Sequence, residues 1–265
     1  MRVEQPGHRA MIRARVVRTE RISKHFVNIT VGGEELSSFE FLGRDQFVRI
    51  FLPRPGQERL HMPTAADRRW VAQLYAMPES RRPYVRNYSV RRFDPAALEM
   101  DIEFVDHGDA GPASAWARAA APGDEIGLLA EGVYHLPPPG TDWQLLVGDE
   151  SALPAVVSIL EQAPEDLRAQ VYLEIPTPDD ERPLRRLPGV DVHWLVRTDP
   201  HDVPGRLALE TLRGADLPEG RPYCFVAGEN ALPTGLRRHL VRERKVPKAD
   251  ITFVGYWRHG QAASD

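Results

Sequence analysis

Cysteine is almost missing from this chain: its 265 residues include one, Cys224. A single thiol excludes a disulfide framework, a zinc cluster or a cysteine-ligated iron–sulfur cluster built within one chain. Long hydrophobic runs are missing too. Nowhere do roughly 18 apolar residues follow one another, and the opening "MRVEQPGHRAMIRARVV" has no apolar signal segment. No membrane insertion and a cytoplasmic location are expected. Positive charge is not in surplus. A net charge of −4 argues against a nucleic-acid sheath, and no nucleic-acid partner is expected. The G-x-G-x-x-G fingerprint of dinucleotide-binding folds is absent, as are repeats and low-complexity tracts. What remains is an ordinary globular mix, 42% hydrophobic and 27% charged. That is enough for a sizeable core in two domains or one large one.

From Met11 to about Val133 the pattern is strand-like. "MIRARVVRTERISKHFVNITVGG", "QFVRIFLP", "NYSVRRF", "LEMDIEFVD" and "PGDEIGLLAEGVY" are short Val- and Ile-rich runs separated by turns, the signature of an antiparallel sheet or barrel. Two helices interrupt them. "TAADRRWVAQLYA" is expected to be capped by Thr64 with Asp67 near its positive end, and "ASAWARAAA" stops at Pro122-Gly123. A proline-rich joint, "LPPPGTD", spans 136–142. Beyond it strands ("WQLLVGD", "QVYLEIP", "VDVHWLV", "PYCFVAGE", "ITFVGYW") alternate with helical stretches, which reads as a parallel α/β sheet. The expected fold class is therefore β followed by α/β: an antiparallel β-barrel domain at 11–135, the joint at 136–142, and a parallel-sheet domain at 143–260. Residues 1–10 and 260–265 read as loose ends.

Ligands of open parallel sheets bind beyond the carboxyl ends of the strands. Two such ends, "VGDESALPA" and "VAGENALP", each place a glycine, an acid and a small residue before a helix. The acids Asp149 and Glu229 can accept hydrogen bonds, and the helix N-termini offer amides to phosphate. Gly148 and Gly228 fit equally well as plain tight turns, and the acids as caps. In "DHGDAGPASAW" the amides from Gly111 to Ser114 suit a pyrophosphate, with the Ser114 hydroxyl assisting, and His107 suits a ring. An ordinary strand–turn–helix with a surface histidine fits as well. In "RRPYVRNYSV" alternation puts Arg86 and Tyr88 on one face of a strand and Ser89 on the other. A planar guanidinium suits phosphate, and a phenol ring lies well against a flat cofactor.

Together, "VRNYSVRRF", "DIEFVDHGDAGPASAWARAAAPGD", "VGDESALPAV" and "VAGENALPTGLRRHL" with "FVGYWRHG" resemble the siderophore-interacting proteins. These are flavin-dependent ferric-siderophore reductases similar in architecture to the ferredoxin–NADP reductase superfamily. The likeness runs from about Ala14 to Gly260. It implies an N-terminal FAD-binding barrel and a C-terminal NAD(P)H-binding domain. Arg86 would meet phosphate, Tyr88 would stack on the isoalloxazine, and Ser89 would sit near its N5; Tyr88 and Ser89 are thus the expected catalytic pair. Asn87 and His107 would join the FAD site, and Gly111, Pro112, Ala113 and Ser114 would hold the pyrophosphate. Asp149, Ser151 and Ala152 match the adenine-side segment, and Gly228 and Glu229 fall where the nicotinamide approaches. Arg49, Arg258 and His259 are the expected contacts to an anionic substrate. The chain departs from the family pattern at Ser89 and Ser151, where threonine is common, at Asn230, where a small residue is usual, and at Gln261, where a basic residue is frequent. It also lacks the Gly-Pro that commonly starts the stretch before the joint.

The implied activity moves electrons from NADPH or NADH, or from a ferredoxin, through FAD to a ferric siderophore, in a monomer with no metal site of its own. Arg197, ending "VDVHWLVR", is a cation available to the extra phosphate of NADPH. A related reductase with another acceptor, or a non-catalytic siderophore or flavin carrier, would share the fold.

Overall fold

The computed structural model describes residues 2–106 and 111–261. By its contacts the chain separates into two compact units: one is Glu4–Val133, and the other begins at Tyr134 and includes residues 2 and 3.

The first unit is a seven-stranded antiparallel sheet in the order β4-β3-β7-β1-β2-β6-β5. Its strands are β1 (Met11–Ser23), β2 (Phe26–Gly32), β3 (Phe47–Leu52), β4 (Tyr84–Ser89), β5 (Arg92–Asp94), β6 (Glu99–Val105) and β7 (Glu125–Ala130). Alternation sets the inner face: Ile12, Ala14 and Val16 are buried while Arg13 and Arg15 point away. The sheet curls because β4 and β5, at opposite ends of the order, are joined only by Val90 and Arg91, and Tyr88 of β4 rests on Phe104 of β6. The expected single strand "NYSVRRF" is thus two. Val90 donates its N–H to Gln46 and Arg91 to Asp101, so the chain changes partner strand between them.

Helix α1 (Arg69–Ala76) starts four residues later than a Thr64 cap would place it, and Thr64 does not cap it. Gln73 reaches back to accept the N–H groups of Thr64 and Ala65, which holds them outside the helix. Asp67 lies just before the helix, as expected near its positive end, and its Oδ1 accepts the Arg69 N–H at 3.0 Å. Helix α2 (Pro112–Ala119) follows Gly111. The N-terminal residues are not loose: Glu4 and Val133 exchange backbone hydrogen bonds, and Arg9 pairs with Glu131 at 2.7 Å.

The second unit is a five-stranded, all-parallel sheet in the order β10-β9-β8-β11-β12. The strands are β8 (Trp143–Gly148), β9 (Ala169–Ile175), β10 (Val190–Val196), β11 (Pro222–Glu229) and β12 (Ile251–Trp257), with helices α3 (Leu153–Glu161), α4 (Arg206–Gly214) and α5 (Ala231–Arg242) in the crossovers. Chain order runs outward from β8 to β10 and then restarts on the other side of β8 with β11. The boundary between β8 and β11 is therefore the topological switch point, where ligands of such sheets bind. The proline-rich stretch is held to this unit: Leu136 donates its N–H to the Tyr223 hydroxyl, and Asp142 donates to the Arg221 carbonyl. Among the described residues, no helix is long and apolar enough to cross a membrane.

Three buried charges organise the sheet's carboxyl edge. Arg197 donates to both oxygens of Glu150, at 2.7 and 2.8 Å, and to Glu174 at 3.1 Å. Glu174 also accepts the N–H groups of Gly205 and Ala208, both at 2.8 Å. A carboxylate on β9 thereby satisfies the first turn of α4, a task that no side chain within α4's own entry performs. Burial works against the Arg197 charge, but the two glutamates outweigh it and raise its pKa. Truncating Arg197 to alanine leaves two facing carboxylates in a dry site. The expected cost is about 3–5 kcal/mol, read as a large fall in the denaturation midpoint of the C-terminal unit.

Candidate functional site

In the first unit the strand pair β3–β4 sets the geometry. Val48 lies opposite Tyr88, and Arg49 opposite Asn87. Directly opposed residues share a face, so Tyr84, Arg86 and Tyr88 point with Val48 toward the core, while Asn87 and Ser89 share the other face with Arg49. The alternation expected for Arg86, Tyr88 and Ser89 is therefore present. Arg86 lies over the Tyr84 ring at 5.8 Å and donates to the Val85 carbonyl at 2.7 Å. Burial raises the Tyr88 pKa, with Arg86 partly opposing, so the phenol stays neutral. Ser89 is buried and Asn87 exposed.

The helix start at 111–114 comes to the same place. Tyr88 meets Phe104 at 4.3 Å between ring centroids, and Phe104 meets Trp116 of α2 at 5.7 Å. This aromatic chain ties β4, β6 and α2 together. The amides of Ala113 and Ser114 lie in α2's first turn, where no intrahelical acceptor exists. Pro112 has no N–H, so it contributes helix direction rather than a donor. A Cβ built on Gly111 would meet nothing within 4 Å, which leaves open space at the helix entrance. The Ser114 hydroxyl is turned toward Asp106, 3.4 Å away, and Asp106 is itself paired with Arg21 and Arg118. Ser114 therefore offers its amide more directly than its hydroxyl. An open helix entrance beside a stacked aromatic and an arginine fits a pyrophosphate attached to a flat ring system. His107 lies outside the described residues.

Arg49 is held by Glu131 at 2.7 Å through Nε and lies 5.2 Å over the Trp70 ring. Glu131 also binds Arg9, so two arginines share one carboxylate and the local charge stays positive. The Arg49 side chain is 32% exposed.

In the second unit the expected residues converge on the switch point. Asp149, at the end of β8, is fully buried. Its Oδ1 accepts the Ser151 N–H at 2.9 Å and the Ser151 hydroxyl at 2.5 Å; its Oδ2 accepts the Glu229 N–H at 2.5 Å. Asp149 is thus a strand-to-strand joint, not an acceptor open to a hydroxyl or amine of a ligand. Gly228 serves that joint. It has φ 134°, and a Cβ there would lie 2.5 Å from the Asp149 carboxylate. Glu229 is committed as well, accepting the N–H of Ala231 at the start of α5 and the N–H of His259. Ala152 is buried against Gly148, and Ser151 remains partly exposed. Arg258 and His259 are exposed at the end of β12. Asn230 is accommodated because Gly255 has no side chain: a Cβ there would come within 2.7 Å of the Asn230 amide oxygen. Arg197 is 3% exposed and bound to two glutamates, so it is not a free cation for a phosphate. The Glu150–Arg197–Glu174 cluster had no signature in the sequence, where its members stand 23 to 47 positions apart.

An antiparallel barrel with an open helix start, followed in the chain by a parallel sheet with a 3-2-1-4-5 strand order, defines a flavin reductase of the ferredoxin–NADP reductase-like class. Residues 15–134 match the siderophore-interacting FAD-binding domain, and residues 141–260 match the siderophore-interacting protein family. The chain belongs to the siderophore-interacting protein family. It is 30% identical to the ferric vibriobactin reductase ViuB of Vibrio cholerae over 92% of this chain and 88% of that one. It is 31% identical to the NADPH-dependent ferric-chelate reductase of Escherichia coli over 91% of each. A siderophore utilization protein from T. fusca has a similar structure at TM-score 0.85 and 31% identity, covering 100% of this chain and 98% of that one. The ferredoxin reductase of carbazole 1,9a-dioxygenase shares the fold at TM-score 0.64 and 16% identity, over 95% of this chain and 71% of that one.

Burial, and secondarily Glu150, pushes the Asp149 carboxyl up to about 7, against the hydrogen bonds from Ser151 and Glu229. A carboxyl that holds its proton more tightly when folded favours the folded state in acid. That advantage fades as pH rises from the unfolded value near 4 toward 7. Relative to Asp149→Asn, the melting temperature of the natural chain is expected to fall across that window. A difference that stays flat between pH 4 and 7.5 refutes the shifted carboxyl.

Proposed function

We propose that this protein is an FAD-dependent ferric-siderophore reductase, drawing electrons from NADH or NADPH and delivering them to a chelated ferric ion that leaves as Fe(II). The observation that carries this reading is the convergence of Arg86, Tyr88 and the α2 entrance through the Tyr88–Phe104–Trp116 stack, within the stretch that matches an FAD-binding domain. The names of two relatives, a ferric vibriobactin reductase and an NADPH-dependent ferric-chelate reductase, support the reaction class.

FAD, when bound, supplies a carrier that takes a hydride's electron pair and releases electrons singly. The chain supplies placement. Arg86 and the amides of Ala113 and Ser114 would hold the phosphates, with Gly111 leaving room for them and Pro112 aiming the helix. The neutral Tyr88 phenol would lie on the isoalloxazine, and Ser89 and Asn87 would approach its polar edge. Gly228 and Glu229 would shape the crevice where the nicotinamide enters, and Ser151 and Ala152 would line its adenine side, with Asp149 holding that crevice together from beneath. Siderophores grip ferric iron through hard oxygen donors, a preference that weakens for the ferrous ion, so reduction releases the metal. Arg49, Arg258 and His259 would attract an anionic ferric siderophore. The free, buried Cys224 suits a reducing compartment, and the proposal sets the reaction in the cytoplasm, in a monomer.

Anaerobic addition of NADH or NADPH to the purified yellow protein is expected to bleach absorbance at about 450 nm. A ferric siderophore should restore it, with the product trapped as a ferrous chelate. A flavin carrier would not bleach, and a reductase with a different acceptor would bleach without recovering. Arg86→Ala is expected to weaken FAD retention roughly tenfold or more, measured as flavin content after desalting. Arg49→Glu is expected to slow capture of an anionic ferric siderophore about tenfold at low ionic strength, with the deficit shrinking in salt. An unchanged rate removes Arg49 from the substrate site.

A further inference from the structure

The carboxyl edge of β9 and β10 is where a sheet of this order reads the adenosine ribose of a dinucleotide: an acid there accepts the 2′-hydroxyl of NADH, or an arginine meets the 2′-phosphate of NADPH. The two donors differ by that phosphate, which carries close to two negative charges. The choice depends on which cations remain available at this edge.

Arg197 stands in the right place but is not available. Its terminal nitrogens are bound to Glu150 and Glu174, and withdrawing it would strand both carboxylates. Arg182 follows the end of β9, but its Nε and Nη2 are buried away from solvent. Arg185 and Arg186 lie toward the opposite edge. Arg185 donates to the carbonyls of Glu161 and Ala163 at the far end of α3, and Arg186 precedes the amino end of β10. A strand of seven residues puts that end roughly 20 Å from the carboxyl edge. Arg206, first in α4, is paired with Glu210 at 3.0 Å and also feels Asp202. Arg258 ends β12, three strands from β9, about 14 Å at ordinary strand spacing.

Apart from Arg206 and His201, the exposed ionisable groups at this edge are acids. Asp179 and Glu181 follow β9, and Asp199 and Asp202 follow β10. The Asp199 carboxylate accepts the His201 N–H at 2.9 Å, which fixes the turn. Carboxylates welcome ribose hydroxyls and repel a phosphate dianion.

We infer that the donor is NADH rather than NADPH, and that the commitment of Arg197 to Glu150 and Glu174, with Asp199 and Asp202 beside it, sets the preference. This rests on the reductase reading above. It also distinguishes the chain from the relative named as NADPH-dependent, which is 31% identical.

The test has a binding arm and a kinetic arm, both on the flavin-loaded protein. Calorimetry compares 5′-AMP with adenosine 2′,5′-bisphosphate; the expected result is roughly tenfold weaker binding of the bisphosphate. Anaerobic stopped-flow compares flavin reduction by the two donors, with NADH expected to be favoured by about tenfold or more in kcat/KM. Asp202→Arg, a surface change, is expected to narrow both ratios. Tighter bisphosphate binding, equal or better use of NADPH, or an Asp202→Arg protein with unmoved ratios overturns the inference and leaves the reductase reading intact. If dithionite reduces the flavin but neither nucleotide does, the nicotinamide part of the reductase reading falls, and this inference with it.

Discussion

One carboxylate, that of Asp149, joins the two strands that flank the switch point of the C-terminal sheet. It directly follows β8, takes two hydrogen bonds from Ser151, and takes a third from the Glu229 N–H at the end of β11. At a switch point the chain leaves the two neighbouring strands toward opposite faces of the sheet, which opens a crevice beyond their carboxyl ends. A buried acceptor tied to both strand ends fixes the shape of that crevice. The neighbouring details follow from it. Gly228 has no side chain because one would occupy the carboxylate's position, and Glu229 is oriented so that its side chain caps α5 and holds the His259 amide.

The same economy of charge recurs one strand away. Glu150, adjacent to Asp149, directs its carboxylate to Arg197 rather than to the crevice, and Arg197 in turn engages Glu174, which caps α4. Burying three charges is costly, and the cluster persists because each member also satisfies another demand, either a second ion or a helix terminus. The consequence for recognition is indirect. An arginine spent on internal order is withdrawn from ligand binding, and the charge left at the surface of that edge is negative.

The barrel unit solves a different problem. There the site is built on aromatic packing, with Tyr88, Phe104 and Trp116 linking two strands to a helix start. Rings fix orientation without consuming hydrogen-bonding groups, so the amides of Ala113 and Ser114 remain available. Arg49 sits on the opposite face of β3, anchored through Nε by Glu131. That arrangement orients a guanidinium while leaving its outer edge toward solvent.

Strand periodicity, turn residues and the change from runs of strands to strand–helix alternation sufficed to read from the sequence an antiparallel unit followed by a parallel one. The facing of Arg86, Tyr88 and Ser89 was also legible, because alternation on a strand is a local rule. Four short motifs in order carried the family. Other roles were only half legible: Asp149 and Glu229 fitted a ligand contact and a cap equally well, and Glu229 does hold the start of α5 while Asp149 joins two strands; Arg197 looked like a phosphate site and is an internal counter-ion, and Thr64 looked like a cap and lies outside α1. Each of these depends on partners distant in the chain or on a competing side chain such as Gln73. Local propensity and periodicity act over a few residues and can be read in one dimension, whereas burial and charge pairing depend on which groups the folded chain brings within about 3 Å of one another, and only the tertiary structure decides that.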